Sequence, residues 1–221
     1  MGYNMKVTVI IPFKEDRGYL NEAINSVPDS CQLILAKGKG TWPQNFNKVL
    51  PQAKGEFIKY LHDDDILTEN CIWDSVEALK DCDFMHGNAY MIRDKTTEWR
   101  PPIKEPTLQE MIQRNVVHSA TLMYRRSVFE KIGSFDEDLK TCEEYEFNLR
   151  CLAAGLKIGY CDSFLAYYRF HPQMKTITIN EKRRNIDRQK IRAYYRANNN
   201  IQQAGATTGF AKKHKKRTFL L

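Results

Sequence analysis

The chain has 221 residues, of which 42% are hydrophobic and 28% are charged, a composition that excludes disordered and fibrous proteins. No apolar run approaches the ~20 residues of a membrane span, and the first residues lack the cleavage site of a signal peptide, so we expect a cytoplasmic protein. The six cysteines include no CxxC pair, which predicts buried free thiols rather than disulfides or a zinc site.

Strands and helices alternate in the first third of the chain. The run KVTVIIPF is apolar and β-branched and ends at Pro12, which predicts a buried strand. The next segment, YLNEAINSV, predicts a helix because Leu20, Ile24 and Val27 share one face. QLILA and GEFIKYL predict two more strands, with a short helix in NFNKVLPQA between them. This order predicts an α/β fold with a mostly parallel central sheet flanked by crossover helices.

The later segments complete one predicted domain. DFMHGNAYMI predicts a strand, and HSATLMYRRSVFEKIGSFDEDL predicts a strand followed by a helix that ends at Gly133. CEEYEFNLRCLAAG predicts a helix with Gly155 as its C-cap, and KIGYCDSFLAYYRFH predicts a closing strand pair. We therefore assign residues 1–180 to one domain and treat residues 181–221 separately.

The positive charge is concentrated at the C-terminus. Residues 181–221 hold 12 Lys and Arg against 2 Asp and Glu, whereas the preceding residues carry a slight negative excess. We predict a basic helix and a partly flexible tail, with an anionic membrane surface as the first expected partner and nucleic acid as the second. Ile186, Ala193 and Tyr194 would form the thin apolar side of such a helix, which would give the protein a peripheral membrane position.

An acidic cluster of Asp63, Asp64 and Asp65 follows the third predicted strand in YLHDDDIL. Three adjacent carboxylates beside an apolar core repel each other unless a cation or a set of donors neutralises them, which favours a metal site. The alternative is an acidic helix start, since LTENCIWDSVEAL predicts a helix directly afterwards. In such sheets ligands bind at the carboxyl ends of the strands, and segments 12–17, 37–40 and 62–65 all fall at that edge.

Six motifs occur in order along roughly residues 6–172: VTVIIPF, AINSV, NFNKVLPQAKGEFIKYLHDDDIL, RRSVFEKIGSFDEDL, EEYEFNLRCLAAGLKI and YYRFHP. Their order and spacing resemble the family 2 glycosyltransferases of GT-A fold, which move a sugar from a nucleotide diphosphate to an acceptor. The resemblance implies a metal-dependent, hexosyltransferase-like enzyme whose donor is most often a UDP-sugar. Its acceptor would be a glycan, a lipid-linked molecule or a protein.

The resemblance also implies roles for the acidic cluster. Asp64 aligns with the carboxylate that binds Mn²⁺ or Mg²⁺, Asp63 lies near the ribose and diphosphate, and His62 takes a position often held by Asp. A register shift of one residue would give the metal to Asp65 instead. His171, in YYRFHP, aligns with a His near the diphosphate or the metal. The cation would stabilise the charge that develops on the leaving diphosphate, and hard oxygen ligands suit it.

A catalytic base and one departure from the family follow from the same comparison. Glu144 aligns with an acidic residue at the start of a helix, where it would take the acceptor proton in an inverting transfer; the alternative is helix capping alone. The family's Asp-Asp-Gly-Ser element, which recognises the donor base, is replaced by LAKGKG, whose two lysines could contact phosphate. We therefore expect either an unusual nucleotide or recognition of the donor by Pro12, Phe13, Glu15 and Asn47, with Lys37 at a phosphate.

Three other functions are compatible with parts of the sequence. A nucleotidyltransferase would also use a metal and carboxylates, but it should carry a Gly-rich basic loop after the first strand, where only Gly18 occurs. A nucleic-acid-binding protein would use the basic tail, and a glycosyltransferase acting on a modified base in nucleic acid would combine both halves of the chain.

Overall fold

One eight-stranded sheet organises the fold in the computed structural model, which describes residues 6–92 and 97–203. In chain order the strands are β1 (Val7–Phe13), β2 (Gln32–Lys37), β3 (Phe57–Tyr60), β4 (Ile66–Leu67), β5 (Phe84–Ile92), β6 (Thr97–Trp99), β7 (Met123–Arg125) and β8 (Ile158–Arg169). The strand order is β2-β1-β3-β7-β5-β8-β4, and β6 pairs with β5. The three longest pairings, β1 with β2, β1 with β3 and β5 with β8, are parallel. The remaining pairings are antiparallel and involve two or three residues each, so the sheet is mixed, and the α/β class is confirmed.

Eight α-helices within the described residues flank this sheet. They are α1 (Leu20–Asn25), α2 (Trp42–Val49), α3 (Cys71–Ala78), α4 (Leu108–Gln113), α5 (Arg126–Ile132), α6 (Glu143–Ala153), α7 (Lys175–Thr178) and α8 (Glu181–Gln203). The helix α5 ends where Gly133 adopts a φ of 86°, and the turn after α6 contains Gly155 at a φ of 77°. This left-handed backbone favours glycine, which is why both predicted helix ends are confirmed.

The strand β1 contributes to hydrophobic clusters on both faces of the sheet. Val9 and Ile11 pack into one cluster with α1 and α3, whereas Ile10 packs into the other with α2, α4, α5 and α6. Side chains alternate between the faces of a strand, so a strand covered on both sides is mostly apolar. This is the physical reason for the apolar run in KVTVIIPF, and the buried polar residue of β1, Thr8, satisfies its hydroxyl by donating to Gln32 at 2.7 Å.

Two predictions about the later segments have different outcomes. The segment KIGYCDSFLAYYRFH forms the single twelve-residue strand β8 instead of a strand pair. Its pairing with β5 is continuous apart from register shifts around Asn88, so the break in its apolar pattern reflects a bulge and not a turn. The prediction of free thiols is confirmed, because all six cysteines are unpaired and only Cys142 is more than marginally exposed.

The long helix α8 begins at Glu181 and packs against α4 and α6. Ile191 and Tyr195 are buried in this contact, whereas Ile186 on the predicted interfacial side is 39% exposed. The rest of the basic tail, residues 204–221, lies outside the described residues. In the described part of the chain, no helix is both long enough and apolar enough to cross a bilayer.

Candidate functional site

A cavity of about 670 Å³ opens beside the carboxyl ends of β1 and β3. It is lined by the end of β1, by the segment that follows β3 and by the first turn of α6. Its volume suits a small organic ligand, and its position at the ends of two neighbouring parallel strands is the usual binding edge of such sheets. We take this cavity as the candidate active site.

Seven of the eleven predicted site residues line the cavity. They are Pro12, Phe13, Glu15, His62, Asp63, Asp64 and Glu144. The other four, Lys37, Asn47, Asp65 and His171, are not among the lining residues. His171 nevertheless contacts a lining residue directly, as described below.

The donor contacts predicted for Asn47 and Lys37 have no support in this geometry. Asn47 donates to the Phe135 carbonyl at 2.8 Å and to a Glu137 carboxylate oxygen at 3.0 Å, so it ties α2 to the segment after α5. Lys37 is exposed at the end of β2. Asn45 lines the cavity instead, since residues two apart on a helix point in nearly opposite directions.

Asn45 and Trp42 shape the side of the cavity next to the end of β1, and the sequence analysis missed both. The Asn45 amide donates to the carbonyls of Phe13 and Gly38 at 3.1 Å each, which joins the end of β1 to the LAKGKG turn. The Trp42 ring stacks on Tyr60 with centroids 5.6 Å apart. Trp42 starts a helix whose capping box, TWPQ, is visible in the sequence and could have located this element.

Arg17 neutralises the acidic cluster, and no sequence pattern indicated this contact. Its guanidinium lies 2.7 Å from Asp63 Oδ1 and 2.9 Å from Asp64 Oδ2. On the other side of the cluster, His171 Nε2 lies 2.9 Å from the same Asp64 oxygen, and the His171 ring is buried. Burial would raise the pKa of Asp64, but the charges of His62 and Arg17 and the hydrogen bond with His171 lower it below its ordinary value. Asp64 is therefore a carboxylate in this site.

Asp65 faces away from the cavity, which corrects its prediction as an alternative metal ligand. It is 1% exposed, and its Oδ1 accepts the backbone N–H of Arg169 at 3.0 Å. Burial and the neighbouring charge of Asp64 raise its pKa to about 7. The contact with β8 suits a structural role, in which Asp65 fixes the segment that presents Asp63 and Asp64.

The residues present fit a divalent cation bound mainly by its substrate. Among residues 6–92 and 97–203, no group of three or more His, Cys, Asp and Glu side chains is arranged to hold a metal. Asp64 and His171 supply one carboxylate and one imidazole, and His171 Nδ1 is buried without a partner. Mg²⁺ and Mn²⁺ suit such a sparse set when a diphosphate and waters complete the coordination.

Glu144 lies in the first turn of α6 and lines the same cavity as Asp63 and Asp64. The residue before that helix, Cys142, has a φ of 64°, a left-handed conformation that is costly for a non-glycine residue and is found most often at functional sites. Glu144 Oε1 lies 3.2 Å from His62 Nε2. This contact is the direct link between the segment after β3 and the predicted base.

The charges around this pair keep Glu144 ionised. Burial would raise the pKa of Glu144, but the hydrogen bond and charge of His62, with the charge of Lys175, lower it. Burial would likewise lower the pKa of His62, but Glu144 and the carboxylates of Asp65 and Asp64 raise it to about 9. A carboxylate that is ionised and partly exposed, at 16% of its side chain, can accept a proton from a bound hydroxyl.

The two other acidic residues of this turn have structural partners. Glu143 accepts a hydrogen bond from Lys175, and Glu146 forms an ion pair with Arg150 at 2.7 Å. Glu146 also accepts the hydroxyl of Tyr195 at 3.0 Å, which fastens α8 to α6. Glu144 differs from these two residues because, within the described structure, its ion-pair partner is His62 and not a lysine or an arginine.

A second cavity of about 470 Å³ adjoins the first. Glu144, Cys142, Ser119 and Tyr168 line both cavities, so the predicted base lies where the two meet. The second cavity is bordered by the helix α8 and contains three arginine side chains.

Comparisons with known proteins agree with one another. The family model described as Glycosyl transferase family 2 matches residues 28–133, a stretch that includes the acidic cluster and ends before Glu144. An uncharacterized glycosyltransferase of Rickettsia felis is 25% identical over 182 residues, which is 77% of this chain and 30% of that protein. One of Methanocaldococcus jannaschii is 25% identical over 158 residues, which is 67% of this chain and 52% of that protein. The chain thus spans about a third to a half of the length of these relatives.

Two solved structures share the fold at low identity. The 1–349 fragment of S. aureus TarS in complex with UDP-GlcNAc matches with a TM-score of 0.64 and 18% identity, over 80% of this chain and 62% of that one. The mannosyltransferase PcManGT of Pyrobaculum calidifontis, in complex with GDP-Man and Mn²⁺, matches with a TM-score of 0.53 and 15% identity. The match covers 73% of this chain and 57% of that one. These two matches confirm the fold class predicted from the sequence.

Proposed function

We propose that this chain is a family 2 glycosyltransferase of GT-A fold and that it transfers a sugar from a nucleotide-diphosphate donor to an acceptor hydroxyl. The observation that carries the proposal is the placement of Asp64 and Glu144 on the same cavity, at the carboxyl ends of β1 and β3. The transfer needs a charged group near the leaving diphosphate and a base near the attacking hydroxyl. These two residues are suited to the two needs.

The donor is a nucleotide sugar, with a UDP-sugar as the first candidate. TarS binds UDP-GlcNAc and UDP in its solved complexes, and PcManGT binds GDP-Man. In this chain, Pro12, Phe13 and Glu15 at the end of β1 would contact the nucleoside together with Asn45 and Trp42. The LAKGKG turn offers no carboxylate, so the base would be recognised through backbone groups and the aromatic ring.

The diphosphate would be held at the acidic cluster. A Mn²⁺ or Mg²⁺ ion bound by Asp64 and His171 would neutralise negative charge as the bond between sugar and diphosphate breaks. Arg17 brings a permanent positive charge to the same place, since its guanidinium contacts Asp63 and Asp64. Arginine matches phosphate oxygens in the same way as it matches carboxylates, so Arg17 can move from the cluster to the diphosphate.

Glu144 would act as the base of an inverting transfer. It is ionised, it lies where the two cavities meet, and the His62 contact at 3.2 Å fixes the orientation of its carboxylate. The acceptor hydroxyl would attack the anomeric carbon from the face opposite the diphosphate while Glu144 takes its proton. A water molecule in the acceptor position would give slow donor hydrolysis.

A screen of nucleotide sugars tests this proposal. The chain is mixed with UDP-, GDP- and CMP-sugars with Mn²⁺, with Mg²⁺ or with EDTA, and thermal stabilisation and release of free nucleotide are measured. We expect one nucleotide class to stabilise the protein and to be hydrolysed slowly, with both effects lost in EDTA. A parallel set of samples contains nucleoside triphosphates in place of nucleotide sugars. If the chain releases pyrophosphate from these and leaves the nucleotide sugars intact, it is a nucleotidyltransferase.

A further inference from the structure

A row of arginines on α8 faces the two cavities. Arg184 lines the first cavity, and Arg188 and Arg192 line the second, at successive spacings of four residues. Four residues of a helix advance by about 6 Å and turn slightly more than once, so these side chains form one continuous stripe. Arg114, which follows α4, adds a fourth guanidinium to the second cavity.

These arginines differ from most others in the protein because they lack acidic partners. In the described residues, seven arginines form ion pairs with carboxylates: Arg17, Arg100, Arg125, Arg126, Arg150, Arg169 and Arg183. Within the same residues, none of the three arginines of the second cavity has a carboxylate oxygen within 4.0 Å. Arg188 donates to Asn185 at 3.2 Å, and Arg192 donates to the Tyr145 hydroxyl at 3.3 Å. Both contacts are to neutral groups, so the positive charges remain uncompensated.

The stripe is held in a fixed position relative to Glu144. Asp187 on α8 accepts the hydroxyl of Thr141 at 2.9 Å, one residue before Cys142. Tyr195 is buried and bonded to Glu146 on α6, the helix that carries Glu144. The helix α8 is thereby joined at two points to the element that presents the predicted base.

The second cavity also suits a sugar ring. Tyr168 and Phe170 line it, with ring centroids 5.3 Å apart, and His118 lies 4.7 Å from Tyr168. Aromatic faces pack against the apolar faces of sugar rings, while the arginines provide charge at the same cavity. Glu144 is the only carboxylate that lines this cavity in the described structure.

We propose that the second cavity is the acceptor site and that the acceptor is a sugar bearing a phosphate or carboxylate group, bound by Arg114, Arg188 and Arg192. This inference rests on the proposed function and specifies its acceptor class. The acceptor hydroxyl oxygen attacks the anomeric carbon of the donor and forms the new glycosidic bond. The old bond to the diphosphate breaks with its electron pair on the leaving diphosphate, and the hydroxyl proton passes to Glu144. Uncompensated guanidinium groups in a concave site attract and orient such an anion.

Binding of small probes tests the acceptor assignment without requiring turnover. Glucose 6-phosphate, glucuronate and glucose are titrated into the chain by calorimetry, in the presence of UDP and Mn²⁺. We expect at least one anionic probe to bind and neutral glucose to bind at least tenfold more weakly, and the two anions identify the preferred group. Arg188→Gln should weaken the anionic probe about tenfold or more, and Arg188→Lys should restore part of the loss.

The control variant is Lys190→Gln, which removes one positive charge from the exposed side of the same helix. Arg188 donates its hydrogen bond to Asn185, an exposed neighbour on the same helix, so its replacement leaves the packing of α8 intact. Equal binding of the anionic probe to Arg188→Gln and Lys190→Gln, or no binding of either anion to the unaltered chain, overturns the inference. Tighter, Arg188-dependent binding of a single-stranded oligonucleotide also overturns it and assigns the cavity to nucleic acid.

The outcomes of this experiment differ from failure of the proposed function. If UDP-sugars neither bind nor hydrolyse, the donor assignment is wrong whatever the arginines bind. If donor binding and hydrolysis occur but Arg188→Gln leaves the affinity for the anionic probes unchanged, only the acceptor class is wrong.

Discussion

The substitution Glu144→Gln separates proton removal from donor binding. In the unaltered protein, Glu144 Oε1 lies 3.2 Å from His62 Nε2. Glutamine keeps the length of the side chain and can still accept a hydrogen bond from His62, but it cannot take a proton. General-base catalysis contributes roughly 10²- to 10⁴-fold, so we expect the transfer rate to fall by that factor. Donor affinity should be nearly unchanged, because in the proposed mechanism the diphosphate is held by Asp64 and Arg17 and not by Glu144.

The stability cost of Glu144→Gln can be bounded from the same contact. The pKa of His62 is raised to about 9 from an ordinary value of 6.5. Such a shift corresponds to about 3 kcal/mol, the balance between burial, which lowers the pKa, and the carboxylates of Glu144, Asp65 and Asp64, which raise it. Because the pKa is raised, this contribution is fully present below pH 6.5 and is lost as the pH rises through 9. We therefore expect Glu144→Gln to cost about 1–2 kcal/mol at pH 7, measured by urea unfolding.

Glu143→Gln is the matched control, because it removes the neighbouring carboxylate, which is paired with Lys175. The assay measures single-turnover transfer at saturating donor, with donor affinity measured separately by calorimetry. Near-normal transfer in Glu144→Gln together with loss in Glu143→Gln would place the base one residue earlier. Near-normal transfer in both variants would refute the inverting mechanism with a base on α6 and favour a retaining transfer.

Three further predictions follow from other contacts. Asp64→Asn should abolish metal-dependent donor binding while the protein stays folded, and equal Mn²⁺ affinity in both proteins by calorimetry would refute the assignment. Arg17→Gln should raise Mn²⁺ affinity about two- to fivefold, because the ion pair of Arg17 with Asp64, worth ~0.5–1 kcal/mol, competes with the metal for that carboxylate. Weaker Mn²⁺ binding in the variant would contradict this. Burial lowers the pKa of His86 to about 4, so between pH 7 and pH 5 this histidine gains its proton in the unfolded state but not in the folded state. We therefore expect His86 to lower the free energy of unfolding by about 2 kcal/mol over this range. Urea unfolding of His86→Gln should show a smaller loss over this range, and an equal loss would exclude His86 as its source.

The elements that could be predicted from the sequence are those with a local signal. The strands β1 and β3 are buried at every position and are apolar except for Thr8 and Lys59, and α6 has a glycine just beyond its end. The sequence places the acidic cluster at the sheet edge and marks the start of α6 as a second acidic cluster, and the structure brings Asp64 and Glu144 to one cavity.

The remaining features depend on contacts between distant segments. Arg17 meets Asp63 across 46 positions of sequence, and nothing in FKEDRG distinguishes it from a solvated charge. Asn45 and Asn47 are both on α2, and only the packing of that helix decides that Asn45 faces the cavity. The sequence shows the arginines of α8 only as part of a basic helix. Their position beside Glu144 depends on the contact between Asp187 and Thr141, which joins α8 to the segment before α6.

Phosphorus NMR of the chain with UDP-GlcNAc and Mg²⁺ most directly tests whether the protein breaks the bond between sugar and diphosphate. The resonances of free UDP should grow slowly without an acceptor and faster with a sugar phosphate, and they should stay absent when EDTA is present or when Asp64 is replaced by Asn. Release of UMP or pyrophosphate, or an unchanged UDP-GlcNAc spectrum together with an unchanged spectrum for every other nucleotide sugar tried, would contradict a glycosyltransferase.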